Sequence, residues 1–350
     1  MWDVVIVGAG MTGLACALAL QNAGYRVVVV EKSRGVGGRV ATRHLPLSLV
    51  DHGAPTVERA LYDKSHYGAY IAALVEQGIV QPWSENQIYD AYLSQGQWSL
   101  EPIQSPGAAE YYAAPEGMTV IAKELAKTLQ IELTQRVTRL HLDGNIWQIT
   151  TEGMTFQAKA VVVAIPAPQA LDLCIPLVQD GLSAAVIAAL QNVQFDPCIT
   201  AIAGYAPSVP WATLPWAELR CQNDPVIARM ICDRRKREMP TGPCFAIHSP
   251  PAFAMEHFEA ADLAAVGQQM LDHVAQVYAP WFAQPELLQV HRWRYAIAIN
   301  GYPGHPLSAQ LNQPLWICGE WCVGSTIQQA FDVGLDVAQQ LKPQLIDWSR

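Results

Sequence analysis

Residues 8–13 read Gly-Ala-Gly-Met-Thr-Gly, a spacing of glycines that can hold a dinucleotide phosphate. Gly8 permits a tight turn after a strand, and Gly10 lets the backbone approach a pyrophosphate. Gly13 allows the following helix to pack closely on that strand, with its positive N-terminus toward the phosphates. The pattern predicts a dinucleotide site, with Thr12 in the same turn, although a glycine turn that binds nothing stays an alternative.

Glu31 follows Gly13 by eighteen residues and ends the second predicted strand. A carboxylate at this position can accept hydrogen bonds from both ribose hydroxyls of an adenosine. It would repel a 2′-phosphate, so the sequence disfavours NADP at this site.

The stretch 31–39, EKSRGVGGR, helps to distinguish among cofactors. Gly37 and Gly38 offer a second close approach of the backbone, and Arg34 and Arg39 bring two guanidinium groups to the same pyrophosphate. A simple NAD domain needs no second glycine pair. The stretch therefore favours a cofactor that extends beyond its pyrophosphate.

Hydrophobic patterning predicts the elements that position these residues. A β-α-β unit opens the chain, with strands at Asp3–Val7 and Tyr25–Glu31 around a helix at Met11–Ala23. Pro343 is predicted to stop the last helix. The other predicted elements near the two ends are a helix at Met118–Gln130, a hairpin at 136–151, strands at Lys159–Ile165 and Leu315–Gly319, and the last helix at Thr326–Leu341.

The middle of the chain has a different, mixed character. Its predicted elements are strands at Cys198–Tyr205, Val226–Cys232, Cys244–His248 and Leu287–Tyr295, and a helix near Ala261–Tyr278. Nucleotide-type elements at both ends enclose this middle, so the nucleotide domain is predicted to be discontinuous. We assign it residues 1–60, 111–170 and 296–350, and assign an antiparallel-sheet substrate domain residues 61–110 and 171–295.

Composition restricts the class of protein. The net charge of −9 argues against binding to nucleic acid or to an anionic membrane, since both depend on a basic surface. There is no run of roughly 18 apolar residues, and the strand-like start leaves no room for an export signal. We expect a cytoplasmic protein, either a monomer or a weak homodimer.

Cysteines and histidines carry little further chemistry. The eight cysteines are scattered and are expected in the core of a cytosolic protein. Cys318 and Cys322 form either a redox pair or simple packing. The nine histidines lack metal-ligand spacing, so no metal is expected, and there is no nucleophile elbow.

Several segments resemble the flavin amine oxidase superfamily, and within it the renalase-like group. The residues 34–39 resemble its second, R-x-G-G-R-like motif. Further matching runs are Val50–Ala54 (VDHGA), Pro115–Met118 (PEGM), Ala164–Gln169 (AIPAPQ), Ile227–Lys236 (IARMICDRRK), His291–Ala296 (HRWRYA) and Ile317–Cys322 (ICGEWC).

The resemblance implies the fold and a non-covalent FAD cofactor. The fold is expected to be α/β, with a Rossmann-type FAD-binding domain of the p-hydroxybenzoate hydroxylase-like kind and an inserted antiparallel-sheet α+β substrate domain. The FAD-binding residues are then expected to be Gly8, Gly10, Thr12, Gly13, Glu31, Lys32, Arg34, Gly38, Arg39, His52, Gly53, Ala54, Val137, Gly319, Glu320, Thr326, Ile327 and Gln328.

Three positions and one segment depart from the family pattern. Glu320 stands where the family usually has aspartate, Gln329 where a glycine is common, and Val333 where a serine is common. Residues 248–253 lack the Trp-Ser pair that usually follows the matching histidine. Gln329 and Val333 bear on how closely the backbone meets the flavin pyrimidine ring.

The resemblance also suggests the chemistry. Amine oxidases place a lysine near flavin N5, but the predicted substrate regions contain only Lys64 and Lys236, and neither is predicted to be a buried strand residue. A polyamine substrate is therefore disfavoured. Hydride transfer suits these residues, because it needs a donor carbon close to N5 and no acid or base.

The catalytic residues expected in the pocket are His248, Trp293 and Tyr295. His248 would be a polar contact and Trp293 a wall that stacks on a ring; the alternative is that both are ordinary core residues. Arg292 and Arg294 either attract an anionic substrate or form a solvated face.

Three functions follow as hypotheses. The first is an oxidase of isomeric dihydronicotinamides, 2- and 6-dihydro-NAD(P), which yields β-NAD(P)+ and, with O2, H2O2. The second is a flavin oxidase or dehydrogenase of amines or another small reduced molecule. The third is a flavin-binding protein without turnover.

Overall fold

A computed structural model describes residues 1–46, 48–60, 63–83, 87–103, 109–237, 242–309 and 311–346. The chain forms two compact units. Unit 1 comprises Met1–Arg39, Ile121–Phe195 and Ile297–Arg350, and unit 2 comprises Val40–Val120 and Asp196–Ala296.

The unit boundaries differ from the predicted domain boundaries. Residues 40–60 and 111–120 belong to unit 2, and residues 171–195 belong to unit 1. One reason is that strand 57–60 pairs with strand 109–113, within unit 2. The assignment of FAD to one domain and of substrate to the other stays a prediction.

The helices are α1 (Met11–Asn22), α2 (His66–Glu76), α3 (Thr119–Ala126), α4 (Ala167–Cys174), α5 (Ala184–Asn192), α6 (Pro251–His257), α7 (Leu263–Val277) and α8 (Ile327–Ile346). The strands are β1 (Trp2–Val7), β2 (Val27–Val30), β3 (Thr42–Leu45), β4 (Ser48–Asp51), β5 (Val57–Ala60), β6 (Gln81–Trp83), β7 (Ile88–Ser94), β8 (Gln97–Pro102), β9 (Ala109–Ala113), β10 (Gln130–Glu132), β11 (Val137–Asp143), β12 (Ile146–Thr151), β13 (Thr155–Val163), β14 (Gln194–Gly204), β15 (Glu218–Cys221), β16 (Arg229–Cys232), β17 (Cys244–His248), β18 (Leu287–Asn300), β19 (Leu307–Ser308) and β20 (Leu315–Ile317).

Unit 1 is built on an eight-stranded sheet with the order β10-β2-β1-β13-β12-β11, in which β20 pairs with β13 and β19. Strands β10, β2, β1, β13 and β20 run parallel to their neighbours in this series. β2 is a run of four valines, all buried, as expected of a parallel strand that is covered on both faces. The predicted Rossmann-type fold is confirmed, and the hairpin β11–β12 lies at the sheet edge.

Helix α8 runs through the proline that was predicted to end it. Pro343 lies inside α8, so that prediction is wrong. Proline removes one backbone hydrogen bond, to the carbonyl of Gln339. Leu341 and Leu345, on either side of it, are buried at 0% and 3% exposure. Their burial keeps the helix in place for another turn.

Unit 2 contains a seven-stranded sheet with the order β18-β14-β17-β16-β15-β7-β8. β15 and β7 are parallel, so the sheet is mixed and the prediction of an antiparallel sheet is wrong for this pair. α7 presents Met270, Leu271 and Val274 to the apolar core that this sheet forms. Smaller sheets, β3-β4 and β5-β9-β6, complete the unit.

A buried ion cluster joins separate segments of unit 2. The Lys236 ammonium lies 3.1 Å from Asp51 Oδ2 and 3.3 Å from Asp233 Oδ1, and Arg237 Nη2 lies 2.5 Å from Asp51 Oδ2. Burial opposes the charge on Asp51, but Lys236 and Arg237 hold the pKa of its carboxyl below the usual range. Lys236 is fully buried, although not in a strand, because these carboxylates compensate its charge.

None of the helices among the described residues has the length and apolar character needed to cross a membrane.

Gly13 and Gly10 provide a matched test of what the first glycine motif does for the fold. A Cβ on Gly13 would lie 2.0 Å from the Gly8 carbonyl oxygen, whereas a Cβ on Gly10 would meet no heavy atom within 4 Å. We expect Gly13→Ala to lower the free energy of unfolding by about 2–3 kcal/mol through overpacking. Gly10→Ala is expected to cost less than about 1 kcal/mol. Urea unfolding of the two variants measures the difference, and equal losses would contradict the packing role of Gly13.

Candidate functional site

The first glycine motif forms the turn from β1 into α1. Gly8 has φ +104°, and a Cβ on it would lie 2.5 Å from the Ala164 carbonyl oxygen. Both features require glycine. The space beside Gly10 is open to a close ligand, and Thr12 is buried within α1. Packing within the protein thus explains why residues 8 and 13 are glycines, whereas a bound group would explain the glycine at position 10.

The second glycine pair packs against the first. Gly37 N–H donates to the Ala9 carbonyl at 2.8 Å, and Gly37 forms a parallel bridge with Gly10. A Cβ on Gly38 would lie 3.6 Å from the Gly10 Cα. The structure therefore brings together the two motifs that the sequence separates by more than twenty residues.

Glu31 supports the same loop. One carboxylate oxygen accepts the Ala9 N–H and the other accepts the Ser33 N–H, both at 2.8 Å. A carboxylate has further lone pairs, so it can also accept from ribose hydroxyls. Lys32 and Arg34 are exposed, and Lys32 Nζ donates to Gln169 Oε1 at 3.2 Å.

Arg39 and Glu320 form an ion pair, with 2.5 Å between Nη2 and Oε2. The second carboxylate oxygen of Glu320, Oε1, is buried and accepts no hydrogen bond from the described residues. An unpaired buried acceptor is costly, and a hydroxyl donor of a bound molecule would satisfy it. This orphaned oxygen and the open space beside Gly10 fit FAD, which carries a ribityl chain as well as a pyrophosphate.

Other predicted FAD-binding residues of unit 1 lie at ends of elements. Gly319 packs under the Trp321 indole, since a Cβ there would lie 2.3 Å from its Nε1. Thr326 precedes α8, whose first residues are Ile327 and Gln328. Val137 begins the edge strand β11. Their contacts with FAD stay predictions.

In unit 2, His52, Gly53 and Ala54 follow β4. The His52 and Gly53 N–H groups lie 3.1 and 3.4 Å from the Ala41 carbonyl, which fixes this turn. The Trp293 indole donates to the His52 carbonyl at 3.2 Å. The structure thus brings together Trp293 of β18 and the segment beside which the flavin was predicted.

Three aromatic rings meet here. The centroid distances are 5.1 Å for His52–His291, 5.3 Å for His52–Trp293 and 4.2 Å for His291–Trp293. Burial, together with His291 and Arg43, lowers the pKa of His52 to about 4. Burial and Arg43 also lower the pKa of His291. Both imidazoles are therefore neutral at pH 7. Sequence reasoning missed His291, although it alternates with Trp293 along one strand.

His248 ends β17 beside Thr200 of β14. Its Nδ1 lies 2.9 Å from Thr200 Oγ1, and its Nε2 is buried with no partner among the described residues. Burial, reinforced by Arg229 and His52, lowers the pKa of His248 to about 3. The neutral ring thus has one nitrogen left for a hydrogen bond to a ligand.

Strand alternation separates Trp293 from its arginine neighbours. Tyr295 is half-buried and lies two residues beyond Trp293, so the two share a face. Arg292 donates to the Phe258 carbonyl at 2.6 Å, and Arg294 pairs with Glu259 at 2.8 Å. Of the two alternatives for Arg292 and Arg294, these contacts favour a solvated strand face over contact with a substrate.

Cys318 and Cys322 are free and buried thiols. Burial raises the pKa of Cys322 to about 12 and also raises that of Cys318 well above its usual range. Both are thiols rather than thiolates at neutral pH, so packing explains them better than redox chemistry.

The neutral histidines predict how stability changes with pH. A histidine whose pKa is lower in the folded state than in the unfolded state contributes stability above pH 6.5, and that stability is lost as the pH falls. For His248, we expect a loss of about 2 kcal/mol between pH 7.5 and pH 5. His248→Asn retains a partner for Thr200 but does not titrate, so it should remove this part of the slope. Urea unfolding at both pH values measures it, with His44→Asn, an exposed histidine of β3, as control; equal slopes in all three proteins would refute the assignment.

Comparison with solved structures shows a similar fold. The chain aligns with putrescine oxidase bound to putrescine at a TM-score of 0.76 and 14% identity, covering 98% of this chain and 99% of that one. It aligns with cyclohexylamine oxidase from Brevibacterium oxydans IH-35A at a TM-score of 0.73 and 14% identity, covering 100% of both.

Similar sequences match over a short stretch. An L-amino-acid oxidase of Echis ocellatus is 58% identical over 40 residues, 11% of this chain and 8% of that protein. A putative L-amino-acid oxidase of Bacillus subtilis (strain 168) is 47% identical over 45 residues, 13% of this chain and 9% of that protein. The matches thus span less than a tenth of these relatives' own length.

Family models cover most of the chain. Residues 6–73 match the NAD(P)-binding Rossmann-like domain, and residues 76–342 match the flavin containing amine oxidoreductase family. The second match spans more than half of the 350 residues. The cofactor of this family is FAD, which the glycine motifs and Glu320 fit. The chain therefore belongs to the flavin containing amine oxidoreductases and is an FAD-dependent oxidoreductase.

Proposed function

We propose that this chain is a renalase-like oxidase that takes a hydride from 2- or 6-dihydro-NAD(P) and releases β-NAD(P)+. Bound FAD supplies the hydride acceptor at N5, and O2 takes up the electrons with two protons to give H2O2. The observation that carries the proposal is the neutral aromatic group formed by His52, His291 and Trp293.

An uncharged aromatic wall suits an uncharged ring. Trp293 can stack on a dihydropyridine face, and neutral imidazoles do not repel the positive charge that the ring acquires as the hydride leaves. His248 adds a hydrogen-bonding nitrogen, Nε2, which has no partner among the described residues and can orient a polar substituent of such a ring. The role of Tyr295 stays a prediction.

The lysines of unit 2 argue against amine chemistry of the usual kind. Residues 40–120 and 196–296 contain Lys64 and Lys236. Lys64 is exposed before α2, and Lys236 is held by Asp51 and Asp233 within the ion cluster. Neither is therefore proposed to serve as a lysine beside the flavin.

Amine oxidation is the second candidate. The family model and the fold shared with putrescine oxidase and cyclohexylamine oxidase favour it. It requires a site that accepts an amine without the lysine found in amine oxidases, so substrate specificity distinguishes it from the first candidate.

Anaerobic mixing distinguishes these candidates. We expect the flavin absorbance at roughly 450 nm to bleach with 2- and 6-dihydro-NAD(P), because hydride transfer reduces the ring system. Putrescine, cyclohexylamine and L-amino acids should leave it unchanged. Rapid-scanning absorbance measures both sets.

The reverse pattern, with bleaching by an amine and not by dihydronicotinamides, would replace the proposal with amine oxidation. An absence of bleaching by any donor would favour a flavin-binding protein without turnover.

Cofactor binding provides a separate prediction for unit 1. Glu31→Ala should weaken FAD binding by about 1–3 kcal/mol, through lost charge-assisted hydrogen bonds to the ribose and to the loop. Gly10→Ala should weaken it at least as much, because a methyl group would fill the space of the pyrophosphate. Fluorescence titration of apoprotein with FAD measures both, and Glu152→Ala, at an exposed acid of the same unit, is the control. Unchanged affinity in both variants would count against this cofactor site.

A further inference from the structure

Gln329 closes the turn before α8 with its side chain. Its Oε1 accepts the backbone N–H groups of Ser325 and Thr326, both at 2.9 Å, and its Nε2 donates to the Val323 carbonyl at 3.2 Å. In return, Thr326 Oγ1 accepts the Gln329 N–H at 3.1 Å. Thr326 and Gln329 thus form a reciprocal capping box at the helix start.

The same turn is hydrogen-bonded to the backbone of Glu320. The Gly324 N–H donates to the Glu320 carbonyl at 2.8 Å. A Cβ on Gly324 would lie 2.3 Å from both Nε2 and Oε1 of Gln329, so the amide occupies that space. Glu320, whose buried Oε1 has no partner among the described residues, is thus joined through its backbone to the turn that Gln329 fixes.

The capping contacts determine which backbone donors of α8 are left. The first N–H groups of a helix have no partner within it. The Gln329 N–H is capped by Thr326, whereas those of Ile327 and Gln328 have no acceptor among the described residues. Two adjacent donors thus remain at the positive end of a 20-residue helix.

We infer that Gln329 is a positioning residue for the flavin. By fixing residues 323–326, it holds the Ile327 and Gln328 N–H groups toward the flavin pyrimidine ring. The inference rests on the proposed binding of FAD at the start of α8, and it is independent of the substrate. The family pattern has a glycine at this position, and a glycine has no side chain that could make these contacts.

The electrostatic consequence is a higher reduction potential. The pyrimidine ring gains negative charge on reduction, and oriented N–H dipoles stabilise that charge when they are held in place beforehand. Loss of the Gln329 side chain releases the turn, so it should weaken binding of reduced FAD more than binding of oxidised FAD.

Three variants of the holoenzyme test the inference. We expect Gln329→Ala to weaken the binding of reduced FAD about ten times more than the binding of oxidised FAD. That difference corresponds to a midpoint potential lower by about 30 mV. Gln329→Glu keeps acceptor oxygens for Ser325 and Thr326, so its melting temperature should stay within about 2 °C of wild type. Its negative charge should lower the potential at least as far. Gln339→Glu adds the same charge at an exposed position about 15 Å along α8 and should leave the potential unchanged.

Spectroelectrochemical titration measures the potential, and fluorescence titration measures FAD affinity. Potentials within about 5 mV of wild type in both Gln329 variants would overturn the inference, and Gln329 would then only cap the helix. A wild-type protein that does not bind FAD would overturn the proposed function as well. Bleaching by amines alone would change the substrate and leave the inference intact.

Discussion

The buried carboxylate of Asp51 is the interaction on which unit 2 depends. One oxygen accepts the Met118 N–H at 2.8 Å and the Thr42 hydroxyl at 2.7 Å, and the other pairs with Lys236 and Arg237. Charges without solvent are tolerated only when they are paired, and removal of one partner typically costs 3–5 kcal/mol. Three separate segments, residues 42–51, residue 118 and residues 236–237, must therefore meet around this carboxylate. The residue after Asp51 begins the aromatic group, so this charge balance also determines where the predicted substrate contacts lie.

Unit 1 is subject to a different constraint. It must leave space beside the backbone, and hydrogen-bonding capacity on its carboxylates, for a ligand. The turn at Gly8 is tightly packed, yet the space beside Gly10 is open. Glu31 uses one hydrogen bond per carboxylate oxygen to hold the loop and retains further lone pairs. Glu320 has one carboxylate oxygen with no partner in the part of the chain that the structure describes. Such unsatisfied groups cost stability in the protein alone, and the predicted contacts with FAD would satisfy them.

The two units differ in how they use charge. Unit 2 pairs its buried cations internally and keeps His52 and His248 neutral by burial. The proposed substrate contacts are therefore aromatic and polar but uncharged, a surface suited to hydride transfer from a neutral ring. Unit 1 retains Arg39 beside Glu320 and the positive end of α8, which suit an anionic cofactor. Electrostatics thus distinguishes the predicted cofactor contacts from the proposed substrate contacts.

Local sequence patterns determined the parts of this protein that depend on neighbouring residues. The glycine spacing of residues 8–13, the valines of β2 and the acid at Glu31 predicted the Rossmann-type unit and its cofactor, because turn geometry and strand burial are short-range properties. Tertiary structure alone decided the burial of Lys236, which looked like part of a charged run until carboxylates from two segments surrounded it. It also decided the contacts of His291 with His52, and it kept Pro343 within α8. These depend on groups far apart in the chain or on packing energy, which no local pattern encodes.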